Sequence, residues 1–129
     1  MYAAKVLVVD DSPTMRQFIV LALQRLPGLQ IDEAGDGVAA LKQLSAKKYD
    51  LLLTDINMPM MDGLKLVGLI RNDVMYAKLP IAVITTEGSE MTRERAIKLG
   101  ADEFITKPLQ TARLIEVVRQ LLNPETRRD

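Results

Sequence analysis

The sequence predicts an α/β protein built as a doubly wound parallel sheet of five strands with five helices on its two faces. Three observations predict it. Short, uniformly apolar runs such as Val6-Leu7-Val8-Val9, Leu51-Leu52-Leu53 and Ile81-Ala82-Val83-Ile84 lack the alternation of a half-exposed strand and read as strands buried on both faces. Between them lie stretches whose apolar residues return every three or four positions, the helical period. Short connections rich in Gly, Pro, Asp and Ser separate the two kinds of segment. Strict alternation of this sort specifies βαβ crossovers and hence helices on both sheet faces.

Taken in order, residues 6–9 form the first strand, and Asp10-Asp11-Ser12-Pro13 ends it with an N-cap candidate followed by Pro at the first helical position. Helix one follows over residues 15–26, with Met15, Phe18, Ile19, Ala22 and Leu26 as its stripe, and Pro27-Gly28 stops it. Leu29–Ala34 is a weaker strand, and the turn Gly35-Asp36-Gly37 leads into a helix with Val38, Leu41 and Leu44 inward. The leucine strand after Asp50 ends at Asp55. The loop Met58-Pro59-Met60-Met61-Asp62-Gly63, whose methionines read as gap fillers, opens a helix over residues 64–72 with Leu66, Val67, Leu69 and Ile70 as its stripe. Residues 80–84 form the fourth strand, closed by Thr85-Thr86-Glu87-Gly88. Glu90–Leu99 is a largely polar helix, expected to be the most exposed, capped by Gly100. Residues 102–106 make the fifth strand, Lys107-Pro108 ends it, and Thr111–Leu122 is the last helix.

Composition narrows the chemistry. The 129 residues have the length of one domain that buries a core unaided, and no repeat or linker divides them. With 17 basic and 17 acidic residues the chain as a whole shows no electrostatic footprint for nucleic acid or an anionic membrane. Cysteine and histidine are both absent, which removes disulfides, thiol chemistry and the usual general base. No run approaches the roughly 20 apolar residues of a membrane span, and no signal-peptide core is present, so a cytoplasmic protein is expected.

Four strands end in polar residues at one common edge: Asp10 and Asp11, Asp55, Thr85 with Thr86, and Lys107. In open α/β sheets that edge is where ligands bind. Clustered carboxylates at about 4 Å repel by about 4 kcal/mol per pair at an effective dielectric near 20, so they need a cation. With oxygen donors only, Mg²⁺ is the expected ion. The same arrangement prepares Asp55 for attack on phosphorus, the metal and Lys107 neutralising charge on the transferring phosphoryl oxygens.

These residues resemble the receiver domain of two-component response regulators, particularly the stand-alone chemotaxis type. The resemblance covers essentially the whole chain, with Asp10-Asp11, Asp55, Thr85 and Lys107-Pro108 in the family's order and approximate spacing. It implies a flavodoxin-like strand order of 2-1-3-4-5. It also implies that Asp55 accepts a phosphoryl group from a histidine kinase. Asp11 and Asp55 would ligate Mg²⁺ directly, Asp10 mainly through water, and the Asn57 backbone carbonyl would add a further ligand. Thr85 would hydrogen-bond the phosphoryl group and Lys107 pair with it, while Asn57 and Glu87 would shorten the lifetime of the phosphorylated state. At Phe104 the family often has Tyr as a rotating switch; Phe lacks the hydroxyl, leaving ring burial or plain core packing as its role.

The chain is read as a single receiver domain over residues 1–129 with no output domain, signalling to a protein target through helix 4, strand 5 and helix 5, as a monomer or a weak phosphorylation-dependent dimer, without direct contact to nucleic acid or membrane. In helix five Leu114, Ile115, Val117, Val118, Leu121 and Leu122 span an arc of roughly 160°, wider than core packing needs, so Ile115 and Leu122 at its edge are expected beside helix four as part of that surface. Other readings are a phosphorelay intermediate, a receiver fragment of a larger regulator, an aspartyl-phosphate phosphatase, a flavin binder, or an adaptor that is never phosphorylated. The phosphatase needs a second acid two residues after the nucleophile, where Asn57 cannot transfer a proton. The flavin site needs a phosphate-cradling loop after strand one, where Asp10 and Asp11 stand instead.

Overall fold

The computed structural model describes residues 3–123. Its sheet is parallel throughout, in the order β2-β1-β3-β4-β5. The strands are β1 (Ala4–Val9), β2 (Leu29–Ala34), β3 (Leu51–Thr54), β4 (Ile81–Thr85) and β5 (Glu103–Thr106). The helices are α1 (Pro13–Leu23), α2 (Gly37–Ala46), α3 (Gly63–Asn72), α4 (Glu90–Leu99) and α5 (Thr111–Leu122). A short 3₁₀ turn, Val74–Tyr76, also precedes β4. The strand pairs Val9 with Thr54 and Thr54 with Val83 bring the carboxyl ends of the three central strands level, so the residues just beyond them share one edge.

Alternate strand residues feed two cores. Leu7, Val9, Leu52, Ile81, Val83 and Phe104 face α2, α3 and α4, while Val6, Val8, Leu51, Leu53, Ala82, Ile84 and Ile105 face α1 and α5. Since both sets are buried, the strands read as continuous apolar runs. Helix starts follow side-chain capping: Ser12, Asp36, Asp62 and Ser89 each accept the backbone N–H of the residue three positions on. Gly100 ends α4 with φ of 118°, a left-handed cap that glycine adopts without a Cβ penalty.

Several inward assignments change. Phe18, Val38 and Leu69 lie about two-fifths exposed, while Ile19, Ala22, Leu26, Leu44, Leu66, Val67 and Ile70 are buried as expected and Leu23, Gly37, Ala40 and Leu64 join them. Ile115 and Leu122 pack into the core beneath α1, with Leu122 buried, so the edge of the α5 arc faces α1 and not α4. Of the loop methionines, Met58 is buried and Met61 packs on the core, but Met60 is exposed at φ of 67°. β5 begins one residue later than expected because the Asp102 carboxylate accepts the Ile81 backbone N–H and pairs with Arg71 at 3.0 Å. α4 buries only Ala96, in keeping with its polar sequence.

Candidate functional site

Asp10 follows β1 directly and is held from three sides. Its backbone N–H donates to the Ala34 carbonyl at 3.1 Å, its Oδ1 accepts the Ser12 backbone N–H at 2.9 Å, and its carbonyl accepts the Arg16 guanidinium. Asp55 follows β3 in the same way, donating its backbone N–H to the Val9 carbonyl at 3.0 Å. The Asp55 Oδ1 accepts the Ile56 backbone N–H at 2.6 Å, and its carbonyl accepts the buried Thr54 hydroxyl at 2.9 Å. Both carboxylates are nearly inaccessible, at 2 % and 7 % exposure, whereas Asp11 is exposed. One carboxylate oxygen from each of the three aspartates falls within 4.8 Å of the others.

Lys107 arrives from the end of β5, its backbone N–H donating to the Thr85 carbonyl at 2.8 Å. Its ammonium lies 3.0 Å from Asp55 Oδ2 and 3.2 Å from Asp10 Oδ2. Burial is the largest single influence on this ammonium and pulls its pKa down. The hydrogen bond to Asp55, the charges of Asp10 and Asp55 and the hydrogen bond to Asp10 together outweigh it, so the pKa stands above the ordinary lysine value. Three carboxylates against one ammonium leave two formal negative charges at the edge, which suits a divalent ion held by oxygen donors. The donor set thus fits Mg²⁺, with Asp11 the carboxylate most open to solvent.

The remaining expected residues divide. Thr85 is fully buried, and its hydroxyl accepts the Glu87 backbone N–H at 3.1 Å. Thr86, Glu87 and Asn57 are exposed around the same edge. Phe104 is buried among the α2, α3 and α4 core residues, with its ring turned inward.

Three contributors escaped sequence reasoning. Arg16 bridges the Asp10 carbonyl and, at 3.0 Å, the Glu33 carboxylate, tying the β1 and β2 ends together. Thr54 fixes the Asp55 carbonyl. Gly63 lies so close to that carbonyl that a Cβ placed on it would be 1.9 Å from the Asp55 oxygen. Only the last had a sequence signal, a glycine at the first helical position where nothing in the turn itself demands one.

Comparison with known proteins accords with this geometry. Residues 6–119 match the response regulator receiver domain. The chain belongs to that family. The receiver domain is 42 % identical over 119 residues to the chemotaxis protein CheY1 of Helicobacter pylori, covering 92 % of this chain and 96 % of that protein. It is 40 % identical to a chemotaxis protein CheY homolog of Campylobacter jejuni over 92 % of each. Among solved structures, the chemotaxis response regulator CheY4 of Vibrio cholerae superposes with a TM-score of 0.85 at 33 % identity, covering 92 % of this chain and 98 % of that one. The receiver domain of the sensor histidine kinase PA1611 of Pseudomonas aeruginosa, described with a magnesium ion coordinated in its active-site cleft, superposes at 0.83 with 25 % identity, covering 93 % and 98 %. This is therefore a receiver domain of the CheY-like response regulators, a signalling protein of two-component systems and not a classical enzyme. No helix among the described residues is long and apolar enough to cross a membrane.

Proposed function

We propose that Asp55 accepts a phosphoryl group from a phosphohistidine of a sensor kinase in a Mg²⁺-dependent reaction, and that the phosphorylated receiver signals by protein contact. The observation that carries this reading is the joint presence of Asp10, Asp11, Asp55 and Lys107 at the carboxyl edge, two of the acids already paired with the lysine. A carboxylate oxygen of Asp55 attacks phosphorus, the new O–P bond forms as the N–P bond to the donor imidazole breaks, and the electron pair returns to that imidazole. Asp10, Asp11, Asp55 and the Asn57 carbonyl would hold the ion, which supplies charge neutralisation on the phosphoryl oxygens. Lys107 exchanges its contact with Asp55 for one with the phosphoryl group. The Thr85 hydroxyl, released from the Glu87 N–H, becomes the hydrogen-bond donor that couples the event to the β4–α4 loop.

The downstream surface in this reading is α4, β5 and α5. It is supported by the polar, largely exposed character of α4 and by its position directly after the Thr85 loop. Signalling of the chemotaxis type is supported by the chemotaxis relatives, which are matched over 96 % and 92 % of their lengths. Asn57 in place of a second acid speaks against phosphatase turnover. The test is labelling by acetyl phosphate and by a histidine kinase. Label should appear on the wild type with Mg²⁺, vanish with EDTA, and be absent from Asp55→Asn. Equal labelling of Asp55→Asn would remove Asp55 from the role.

A further inference from the structure

We propose that the groove between α3 and α4 is a docking site for an acidic, amphipathic peptide segment of a partner protein. The groove has a volume of about 560 Å³, and its walls carry Lys65 on α3 and Arg95 and Lys98 on α4. All three side chains are exposed, and among the described residues none of them forms an ion pair. Arg71, at one end, is committed to the Gly100 carbonyl and the Asp102 carboxylate. The one acid in the lining, Asp62, caps α3 and is outnumbered by Lys65, Arg95 and Lys98, so the groove presents a net positive charge on a chain whose overall charge is zero.

Two features of α3 run against helix preference. Lys65 stands in the first helical turn, where the helix dipole disfavours a cation. Gly68 occupies the helix interior, where glycine costs about 1 kcal/mol relative to alanine. Packing does not require that glycine, since a Cβ there would meet only Leu99 Cδ2, at an ordinary 3.6 Å. What its missing side chain does is leave the groove floor open between Leu69 and Leu99, which are 41 % and 37 % exposed. A cationic rim above an apolar floor complements a helix with carboxylates flanking one or two leucine-like anchors. Nucleic acid fits less well, because no aromatic residue lines the groove to stack on bases. The inference does not depend on the reading of Asp55.

The test is fluorescence anisotropy of the whole chain with a labelled helical peptide that carries glutamates along one face and leucine at every fourth position. Binding tighter than about 1 mM is expected. Combined Lys65→Glu, Arg95→Glu and Lys98→Glu should weaken it at least tenfold. Gly68→Leu should weaken it similarly while leaving the thermal midpoint at or above that of the wild type, because a helix former replaces glycine. Arg25→Glu with Arg119→Glu, on the α1 and α5 side, should leave binding unchanged. The proposal is overturned if the wild type does not bind, if the distant charge reversal weakens binding as much as the groove variants, if a lysine-bearing counterpart of the peptide binds equally, or if Gly68→Leu keeps full affinity. Tighter binding of single-stranded DNA or anionic phospholipid vesicles through the same residues, or self-association of the chain through them, overturns it as well.

Discussion

Gly63→Ala is expected to damage both the fold and the phosphoacceptor, by an amount that follows from one distance. A Cβ at position 63 would stand 1.9 Å from the Asp55 carbonyl oxygen, 2.8 Å from its carbon and 2.9 Å from the Ile56 Cα. The closest tolerable C–H···O approach is about 3.3 Å, so α3 and the β3 end must separate by roughly 1.4 Å. All the atoms met are backbone, and no rotamer change relieves the clash. The carbonyl is also anchored, accepting the Thr54 hydroxyl at 2.9 Å, while the Gly63 N–H donates to the Ile56 carbonyl at 2.8 Å. Overpacking of about 1–3 kcal/mol, with one or two hydrogen bonds lost at about 1 kcal/mol each, suggests a total near 2–5 kcal/mol. A displacement of about 1 Å at a reacting group costs roughly a hundredfold in rate. Urea denaturation should therefore show a midpoint well below that of the wild type, and acetyl phosphate labelling of the folded variant should slow at least tenfold. A variant with a wild-type midpoint and labelling rate would refute the reasoning, and Gly68→Ala, where the added methyl meets only a side chain at 3.6 Å, is the matched control.

Leu122→Lys should destabilise the fold by about 3 kcal/mol, because the side chain is buried beneath α1, whereas Ile97→Lys on exposed α4 should change stability by less than about 0.5 kcal/mol; equal midpoints for the two would contradict this packing. Tyr49→Phe should cost about 1–2 kcal/mol near pH 7, since the Tyr49 hydroxyl donates to Asp32 and to Gln43. That hydrogen bond is the main reason the Asp32 pKa lies below 3.8, so the wild-type advantage is complete above that value and fades as pH falls through the lower folded pKa. Burial first, and then Asp32, push the Tyr49 hydroxyl above 10.0, so the advantage also shrinks as pH climbs past 10.0; a gap between the two unfolding curves that is independent of pH would count against this coupling. Combined Asn57→Met and Glu87→Leu, both at exposed positions by the site, should slow loss of the phosphoryl group, and an unchanged decay of labelled protein would show that these side chains do not govern water access.

The sequence by itself determined the alternation of five strands and five helices, because runs buried on both faces and helical periods are local patterns that burial imposes on any chain of this class. It also determined that Asp10, Asp11, Asp55, Thr85 and Lys107 share an edge, since in a parallel sheet every strand delivers its last residue to the same side. Tertiary structure alone decided where the buried stripe of each helix stops. Phe18, Val38 and Leu69 satisfy the helical period, yet they lie outside, at the margins of stripes whose other residues are buried. The direction of the α5 edge depends on α1 lying beside it, a neighbour distant in sequence. The pairing of Lys107 with Asp10 and Asp55 spans 97 and 52 residues, and the Arg16 guanidinium meets Glu33 across 17 residues while it donates to the Asp10 carbonyl. Such contacts carry no periodic signature, because they arise from the distance between elements once packed and not from the order of residues within any one of them.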